Sequence, residues 1–546
     1  MFGKFIMLAV LLCALSGGQT FEWVDVFPLD IQTNPAYLRG TTAMDSSGNP
    51  VCARLVYYRE LYNFNYYGNT EIEKRSPSGS VIWEDTIYGK AEVSELVVDG
   101  ENNVVCIGTF RDTLAIDTAM IVHSGSGMGS FILKLDAAGN FTWLKDGSEF
   151  IPQNGEVTAL ELKAANNILV GVTNYGINAN IYEFNSDGSL VSTILQPEVE
   201  TISDINVDAS GNIWAAGFAF NGQVSFNGLD TIAPFSYNDY VVKYNSSGTA
   251  QWVTFIQDIT VQFFNIETDN FGNAYLSGNL FDSTSFGNLH ANGPQWVYDY
   301  FVTKISPDGN FIWLSEIPPG NTMGDATIGN SNFLYCSEEG NTYLTGFFRG
   351  EINFGNGVLL NTGSYFDLFV INYNQDGVIQ WAKAAGSSNY DQGSSIVADV
   401  DGNCYISGLV GENSVFDTIT VAGGYRNIFL AKLKTDNIVS VENGFSEVNP
   451  LVNEFSLSQN YPNPFNPTTK IHFTIPSRTE YSSVPQIATL KVYDILGNEV
   501  AALVDEEKPA GNYEVAFDAG NLPSGVYFYQ LIAGSVSETK KMILLR

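Results

Sequence analysis

Short apolar runs recur along the chain between clusters of Gly, Asn, Asp and Ser, and they predict strands joined by tight turns. The clearest phrase is a Gly-Asn turn, an aromatic or apolar residue, and a second Gly: Gly211-Asn212-Ile213-Trp214 to Gly217, Gly272-Asn273-Ala274-Tyr275 to Gly278, Gly340-Asn341-Thr342-Tyr343 to Gly346, and Gly402-Asn403-Cys404-Tyr405 to Gly408. Weaker copies stand at Gly48-Asn49, Asn102-Asn103 and Ala165-Asn166, which makes seven. A second phrase follows, a turn Gly with Trp four residues on: Gly79 to Trp83, Gly139 to Trp143, Gly248 to Trp252, Gly309 to Trp313 and Gly377 to Trp381. The copy at Gly188 has Ser192 in place of Trp.

Each unit offers four strands. In the fifth they are 265–268, 274–279, 300–305 and 310–316, with Gly-Asn and Asp-Gly supplying the positive φ of tight hairpins. Units of roughly 45 to 68 residues with near-continuous apolar strands fit blades stacked around a channel, so we expect an all-β, seven-bladed propeller over residues 19–437. A row of separate sandwiches fits less well, because each unit has too few strands for two sheets. Residues 21–27 (FEWVDVF) match the Trp-bearing fourth strand that the seventh unit lacks. They should complete the last blade, with Trp23 beside Phe429 and its neighbours.

The final segment has a different texture. Ile471 to Ile475 and Leu490 to Tyr493 alternate apolar and polar residues, and turns at 496–499, 510–512 and 523–525 separate them, which predicts a small β-sandwich. Its entry, Tyr461-Pro462-Asn463-Pro464-Phe465-Asn466-Pro467, is stiffened by three prolines that fix φ and remove backbone donors. Four pieces resemble, in family order, the C-terminal sorting domain of type IX secretion cargo from Gram-negative bacteria. They are that entry, the Asp494-Ile495-Leu496-Gly497-Asn498 turn, the Leu522-Pro523-Ser524-Gly525-Val526-Tyr527 hairpin, and the last strand with Lys540 and Lys541. The resemblance implies an immunoglobulin-like domain over 455–546 behind a linker at 438–454. It also implies the type IX machinery as partner, delivery to the cell surface or medium, and frequent removal of the tail on arrival. The repeats, in turn, resemble the seven-bladed propeller of bacterial surface proteins.

The N-terminus agrees: Lys4, an apolar run from Phe5 to Leu15, then Ser16, Gly17 and Gly18 read as a signal peptide over 1–18. The run is too short for a permanent membrane helix, and no later segment is long and apolar enough, so we expect none in the mature chain.

Charge narrows the partners. The chain carries 59 Asp and Glu against 25 Lys and Arg, a net −34, and from position 451 onward only ten acids face seven bases. An acidic passenger without a basic cluster does not suit nucleic acid. The cysteines outside the leader, Cys52, Cys106, Cys336 and Cys404, form no C-x-x-C pair and read as strand residues.

Catalytic chemistry is sparsely signalled. Only His123, His290 and His472 exist, and no H-E-x-x-H, G-x-S-x-G or phosphate-loop pattern occurs. Ser306-Pro307-Asp308-Gly309 resembles the Asp-box of sialidase-like propellers, but its Gly directly follows the Asp, a spacing that argues against identity, and the Asp would serve its own turn. Arg111 and Arg349 follow the second strands of different units and are candidates for a shared rim. Calcium is the cation that Asp99–Asn103 or Asp269–Asn273 would take, but hairpin-turn formation is the default reading of those residues. No other cofactor is indicated and no catalytic residue can be picked. The expected passenger is therefore a non-catalytic module binding glycan, protein or surface polymer through loops such as 281–297 and 348–365, where Trp296, Tyr298, Tyr365 and Phe366 stand. The alternative is a propeller hydrolase or lyase acting on polysaccharide.

Overall fold

The computed structural model describes residues 19–29, 40–55, 68–435 and 456–545, apart from 126, 152–154, 175–177, 258–263, 281–282, 294–298, 319–324, 330, 363–364, 425, 458–459, 461–462, 464, 476–485, 509–510 and 534–535. The expected leader and linker, Tyr461, Pro462, Pro464, Trp296 and Tyr298 therefore lie outside the described residues. The protein is all-β: its only helical turns among the described residues are short 3-10 stretches at Gly147–Glu149 and Ala164–Asn166. It divides into two compact units, 1–438 and 439–546.

In the first unit, antiparallel four-stranded sheets succeed one another in sequence. The third runs Gly155–Lys163, Asn167–Asn174, Asn178–Phe184, Leu190–Pro197, and the fourth Thr201–Val207, Ile213–Phe226, Leu229–Tyr244, Ala250–Gln257. The first and second share Val81–Val98, which pairs with Thr70–Arg75 in its first half and with Val104–Ile116 in its second. In the fifth, the strands are Phe264–Thr268, Ala274–Leu280, Asp299–Ile305 and Phe311–Glu316, within two residues of expectation.

The seventh sheet consists of Gln392–Ala398, Cys404–Gly411, Arg426–Thr435 and the N-terminal Gln19–Leu29. Gln19 faces Thr435 and Leu29 faces Arg426, so the first strand completes the last sheet as its match to the Trp-bearing fourth strand suggested. The position of Trp23 differs. Val26, not Trp23, lies opposite Phe429, and Trp23 lies opposite Lys432. A register shift between Phe21 and Trp23 turns the indole onto Tyr405 (6.2 Å) and onto Gly79 of the first sheet.

This placement exposes the physical meaning of the Gly-to-Trp phrase. Trp23, Trp83, Trp143, Trp252 and Trp313 each lie against the glycine of the next sheet's third-to-fourth strand turn: Gly79, Gly139, Gly188, Gly309 and Gly377. Each indole Nε1–H donates to the carbonyl two residues before that glycine: Pro77, Ala137, Ser186, Pro307 and Gln375, at 3.0–3.2 Å. The tryptophan thus belongs to an inter-sheet joint. In the third sheet, which lacks it, Ile194 covers Gly248 instead.

A second recurring element is a buried ion pair. The first residue of the Gly-Asn turn, Asp45, Asp99, Asp208 or Asp269, accepts from the turn's own N–H groups and asparagine and meets a lysine from the third strand. The pairs are Lys74 (2.5 Å), Lys134 (3.0 Å), Lys243 (3.2 Å) and Lys304 (3.6 Å), respectively. In the Trp-less third sheet the charges are inverted, Glu183 on the third strand pairing with Lys163.

The second unit has two sheets around one core. Ser456–Leu457, Thr468–Ile475 and Gly511–Asp518 form one, and Glu499–Lys508, Gln486–Tyr493, Gly525–Ala533 and Val536–Leu544 the other, with Ile471, Phe473 and Phe517 sharing a core with Leu490, Tyr529 and Met542.

Candidate functional site

The innermost strands of the successive sheets line one cavity of about 700 Å³ in the first unit, with turn residues 45–48 and 399–401 also on its wall. Acidic residues interrupt these otherwise apolar strands: Glu95, Glu161, Asp204 and Glu267 come from the second to fifth sheets. Thr42, Asn332 and Ile396 from the first, sixth and seventh sheets line it too. Thr42 N–H donates to Ser395 Oγ at 3.1 Å and its hydroxyl to Ser407 Oγ at 2.9 Å, joining the first sheet to the seventh.

The carboxyl groups are tied to amides. Asp204 accepts from Ile205 N (2.8 Å), Ile266 N (2.8 Å) and Asn265 Nδ2 (3.1 Å). Asn206 Nδ2 donates to both Glu161 Oε2 and Glu267 Oε2 at 3.2 Å, and its own Oδ1 accepts from Thr268 Oγ1 at 2.7 Å. Burial away from water is the main reason the acids are weak. It pushes Asp204 up to about 7, against the pull of its backbone and amide donors, and Glu161 up to about 8, with the Asp204 charge adding to the rise. Glu267 and Glu95 are raised well above the carboxylate range by burial first, then by neighbouring acids. At neutral pH the wall is therefore rich in protonated carboxyls that both donate and accept hydrogen bonds.

One segment crosses between sheets. Between Asp325–Ile328 and Leu334–Cys336 the inner strand of the sixth sheet is broken, and Ser331 donates through Oγ to Ser94 O of the second sheet at 3.2 Å and through N to Ser394 O of the seventh at 3.2 Å. Asn265 Oδ1 of the fifth sheet receives Phe333 N at 2.8 Å.

The residues singled out from sequence are elsewhere. His123 packs edge-on to Phe110 and His290 bonds Ser285 Oγ, both in hairpins joining second and third strands. Arg349 is paired with Asp325 and lies over Phe366, 4.9 Å from its ring centre, while Arg111 sits in the second sheet opposite Lys90, so the two arginines belong to different sheets. The loops expected to bind ligand are largely hairpins: Glu351–Gly355 with Val358–Asn361, and Thr284–Phe286 with Leu289–Ala291. Their aromatic residues Phe354 and Phe286 are buried, since such a hairpin folds back to cover the sheet beside it.

The calcium loops carry a different chemistry. Asp99 is engaged by Glu101 N, Asn103 N, Asn103 Nδ2 and Lys134, and Asp269 by Phe271 N, Asn273, Tyr275 and Lys304, so donors already occupy the oxygens a hard cation would need. No cluster of three or more His, Cys, Asp or Glu suited to a metal occurs among the described residues. At Ser306-Pro307-Asp308-Gly309, Ser306 Oγ accepts Asn310 N at 3.0 Å, so the serine caps the turn in place of the expected aspartate.

In the second unit the sequence motifs do converge. Phe465 is buried beside the last strand: its N–H donates to Ile543 O at 2.9 Å and its carbonyl accepts Leu545 N at 3.0 Å, while Asn463 Oδ1 accepts Ile543 N at 2.8 Å. Pro467 O accepts Ala519 N at 2.9 Å, and Asn466 is exposed. Tyr527 OH donates to Pro523 O at 2.8 Å, Gly525 opens its strand, and Lys540 and Lys541 face Tyr529 and Phe528 across the final pair. Residues 459–545 match the family described as the secretion system C-terminal sorting domain. The tail is a sorting domain. It marks the chain for export by the type IX route to the cell surface or medium. No helix among the described residues is long and apolar enough to cross a membrane.

The sorting domain leaves the first unit to other comparisons. A curated relative, an uncharacterized WD repeat-containing protein of Acanthamoeba polyphaga mimivirus, is 26% identical over 200 residues, 32% of this chain; the match spans only 14% of that protein's length. Among solved structures, an α-L-arabinofuranosidase from Fusarium graminearum bound to an iminosugar inhibitor aligns at 11% identity over 78% of this chain and 99% of its own, with a TM-score of 0.34. A protein of unknown function from Bacteroides caccae aligns at 10% identity over 57% and 89%, with a TM-score of 0.31. An engineered GH43 glycoside hydrolase with endo-xylanase and exo-arabinofuranosidase activities aligns at 8% over 83% and 90%, with a TM-score of 0.25.

Of the site as a whole, sequence reasoning missed the cavity acids. The signal was present: a lone acid inside the first strand shortly before four of the seven turns, as in Ser94-Glu95-Leu96-Val97-Val98-Asp99 and Ser203-Asp204-Ile205-Asn206-Val207-Asp208.

Proposed function

We propose that the chain is an exported binding protein. In this reading residues 19–437 are a seven-bladed propeller closed by its first strand, and 455–546 are an immunoglobulin-like sorting tail. The propeller holds a polyhydroxylated ligand, a glycan segment, in its central cavity. The carrying observation is the wall of carboxyls from successive sheets, with Glu161 and Glu267 bridged by the Asn206 amide. Protonated acids and amides offer donors and acceptors without fixed charge, which suits hydroxyl groups. Glycoside cleavage needs one ionised carboxylate free to act as nucleophile or base. Asp204, less weakened than Glu161 beside it, spends its oxygens on three donors, which favours binding over turnover.

The full exported chain, purified and passed over a glycan array with parallel product analysis, tests this. Retention without released oligosaccharide is expected, and Glu161→Gln with Asn206→Leu should abolish it. Released reducing ends would sink the binding-only reading; retention unaffected by the double substitution would sink the cavity as the site. The termini of the mature protein test the boundaries, a start near Gln19 and an end before Tyr461 being expected.

A further inference from the structure

The sorting domain contains the same five-residue turn that the first unit uses repeatedly. Asp494 accepts from Leu496 N (2.8 Å), Asn498 N (2.9 Å) and Asn498 Nδ2 (2.9 Å), and Gly497 N closes onto Asp494 O at 3.1 Å. Asp45, Asp99, Asp136, Asp208, Asp269 and Asp399 build the same pattern in the first unit. In every copy the side chains of the first and fifth residues and the backbone of the third, fourth and fifth make the turn, so the side chains of the second and third take no part in closing it. In the first unit these tip pairs are small or polar, with Phe271 and Val400 the only large apolar members in those six turns. In the sorting domain both are large and aliphatic: Ile495 is 70% and Leu496 82% exposed.

Nothing inside the domain accounts for two adjacent aliphatic side chains held in water on a rigid tip. A groove of about 330 Å³ lies at its foot, lined by Tyr493, Phe528, Gln530 and Thr539 from the outward face of the sheet. Exposed apolar groups beside a groove are the usual mark of a protein contact, and a few such residues commonly carry most of its strength. The domain's matched family supplies the occupant, since a sorting domain is read by a secretion apparatus. We propose that Ile495 and Leu496 are the anchor of that reading: they insert as a pair into an apolar pocket of the export machinery, with the Tyr493–Phe528 groove flanking the contact.

This rests on the sorting-domain reading of the tail, and the test separates the two. The full chain is produced in a host carrying a type IX system, and exported and periplasmic protein are quantified. Ile495→Ser with Leu496→Ser should cut export by at least about tenfold, as loss of a hot spot does, with the protein accumulating folded in the periplasm. Ile495→Met with Leu496→Met should restore export, which guards against a folding defect in the serine variant. Phe271→Ser, 60% exposed on a turn tip of the first unit, should export normally. Wild-type export of the serine pair, or equal loss in the Phe271 control, overturns the anchor. Export of a chain ending at residue 438 would overturn the sorting reading itself.

Discussion

Replacing Gly309 with Ala probes the joint between the fourth and fifth sheets. Gly309 has φ +82°, and a Cβ built there would lie 2.9 Å from Trp252 Cδ2. The ring cannot swing away cheaply, because its Nε1–H is bonded to Pro307 O at 3.0 Å. Left-handed backbone costs an L-residue about 1–2 kcal/mol, and forcing a methyl into a filled contact adds about 1–3 kcal/mol. Gly48 isolates the first cost: its φ is +76° and a Cβ there would meet nothing within 4 Å. Gly48→Ala should therefore lose about 1–2 kcal/mol and Gly309→Ala about 2–5 kcal/mol. With Trp252 already replaced by Ala, Gly309→Ala should fall back to the Gly48 value, a coupling of about 1–3 kcal/mol. Urea unfolding of the exported chain, followed through the transition of the first unit, gives all four stabilities. Equal losses at Gly48 and Gly309, or additive effects in the double variant, would refute the joint.

Other outcomes follow from the same residues. Because Asp204 and Glu161 have folded pKa values raised to about 7 and about 8, the stability they contribute is full below pH 4 and is lost as pH rises through those values. Glu161→Gln should thus match the parent near pH 4 and exceed its melting temperature at pH 9; no gain at pH 9 would contradict the assignment. Asp208 behaves oppositely: burial raises its pKa, but Asn212, Trp214 and Lys243 outweigh it and hold the group low, so its contribution is lost as acid carries the pH below the usual carboxylate value. Lys243→Met should cost about 3 kcal/mol and move acid unfolding to higher pH. Deleting residues 19–29 should expose an unpaired edge along Arg426–Thr435 and lower the melting temperature of the first unit, with aggregation measured by light scattering.

Strands and sheets were legible because their punctuation is chemical. A left-handed residue fixes each turn, and where Gly is missing Asn102 and Asn166 take the same conformation, at φ 65° and 58°. The weak third copy was readable for that reason, while the meaning of Ser192 was not. Its Trp is lost together with the Asp–Lys pair, replaced by Lys163–Glu183, a relation visible only once the third and fourth strands are side by side. Trp23 was assigned to the right strand and the right partner strand, but it stands opposite Lys432 rather than Phe429, since one register shift re-aims a side chain. The cavity was hidden because its acids stand far apart in sequence and no single segment carries them.

The pairing of Gln19–Leu29 with Arg426–Thr435 also sets an order of events. Phe21 N–H meets Asp417 Oδ2 across 396 positions, so this contact, like the Thr42 bonds to Ser395 and Ser407, closes a far longer loop than contacts between sheets that follow one another in sequence and carries a larger entropy of closure. The other sheets are built from nearby segments, and none of them needs both ends of the first unit to meet. The seventh sheet waits for both ends. Until it forms, the molecule has two unsatisfied strand edges that fit each other, and they equally fit the edges of a second unfinished copy. The speed of that last pairing, relative to encounter with another chain, decides whether synthesis yields a closed monomer or a strand-exchanged assembly.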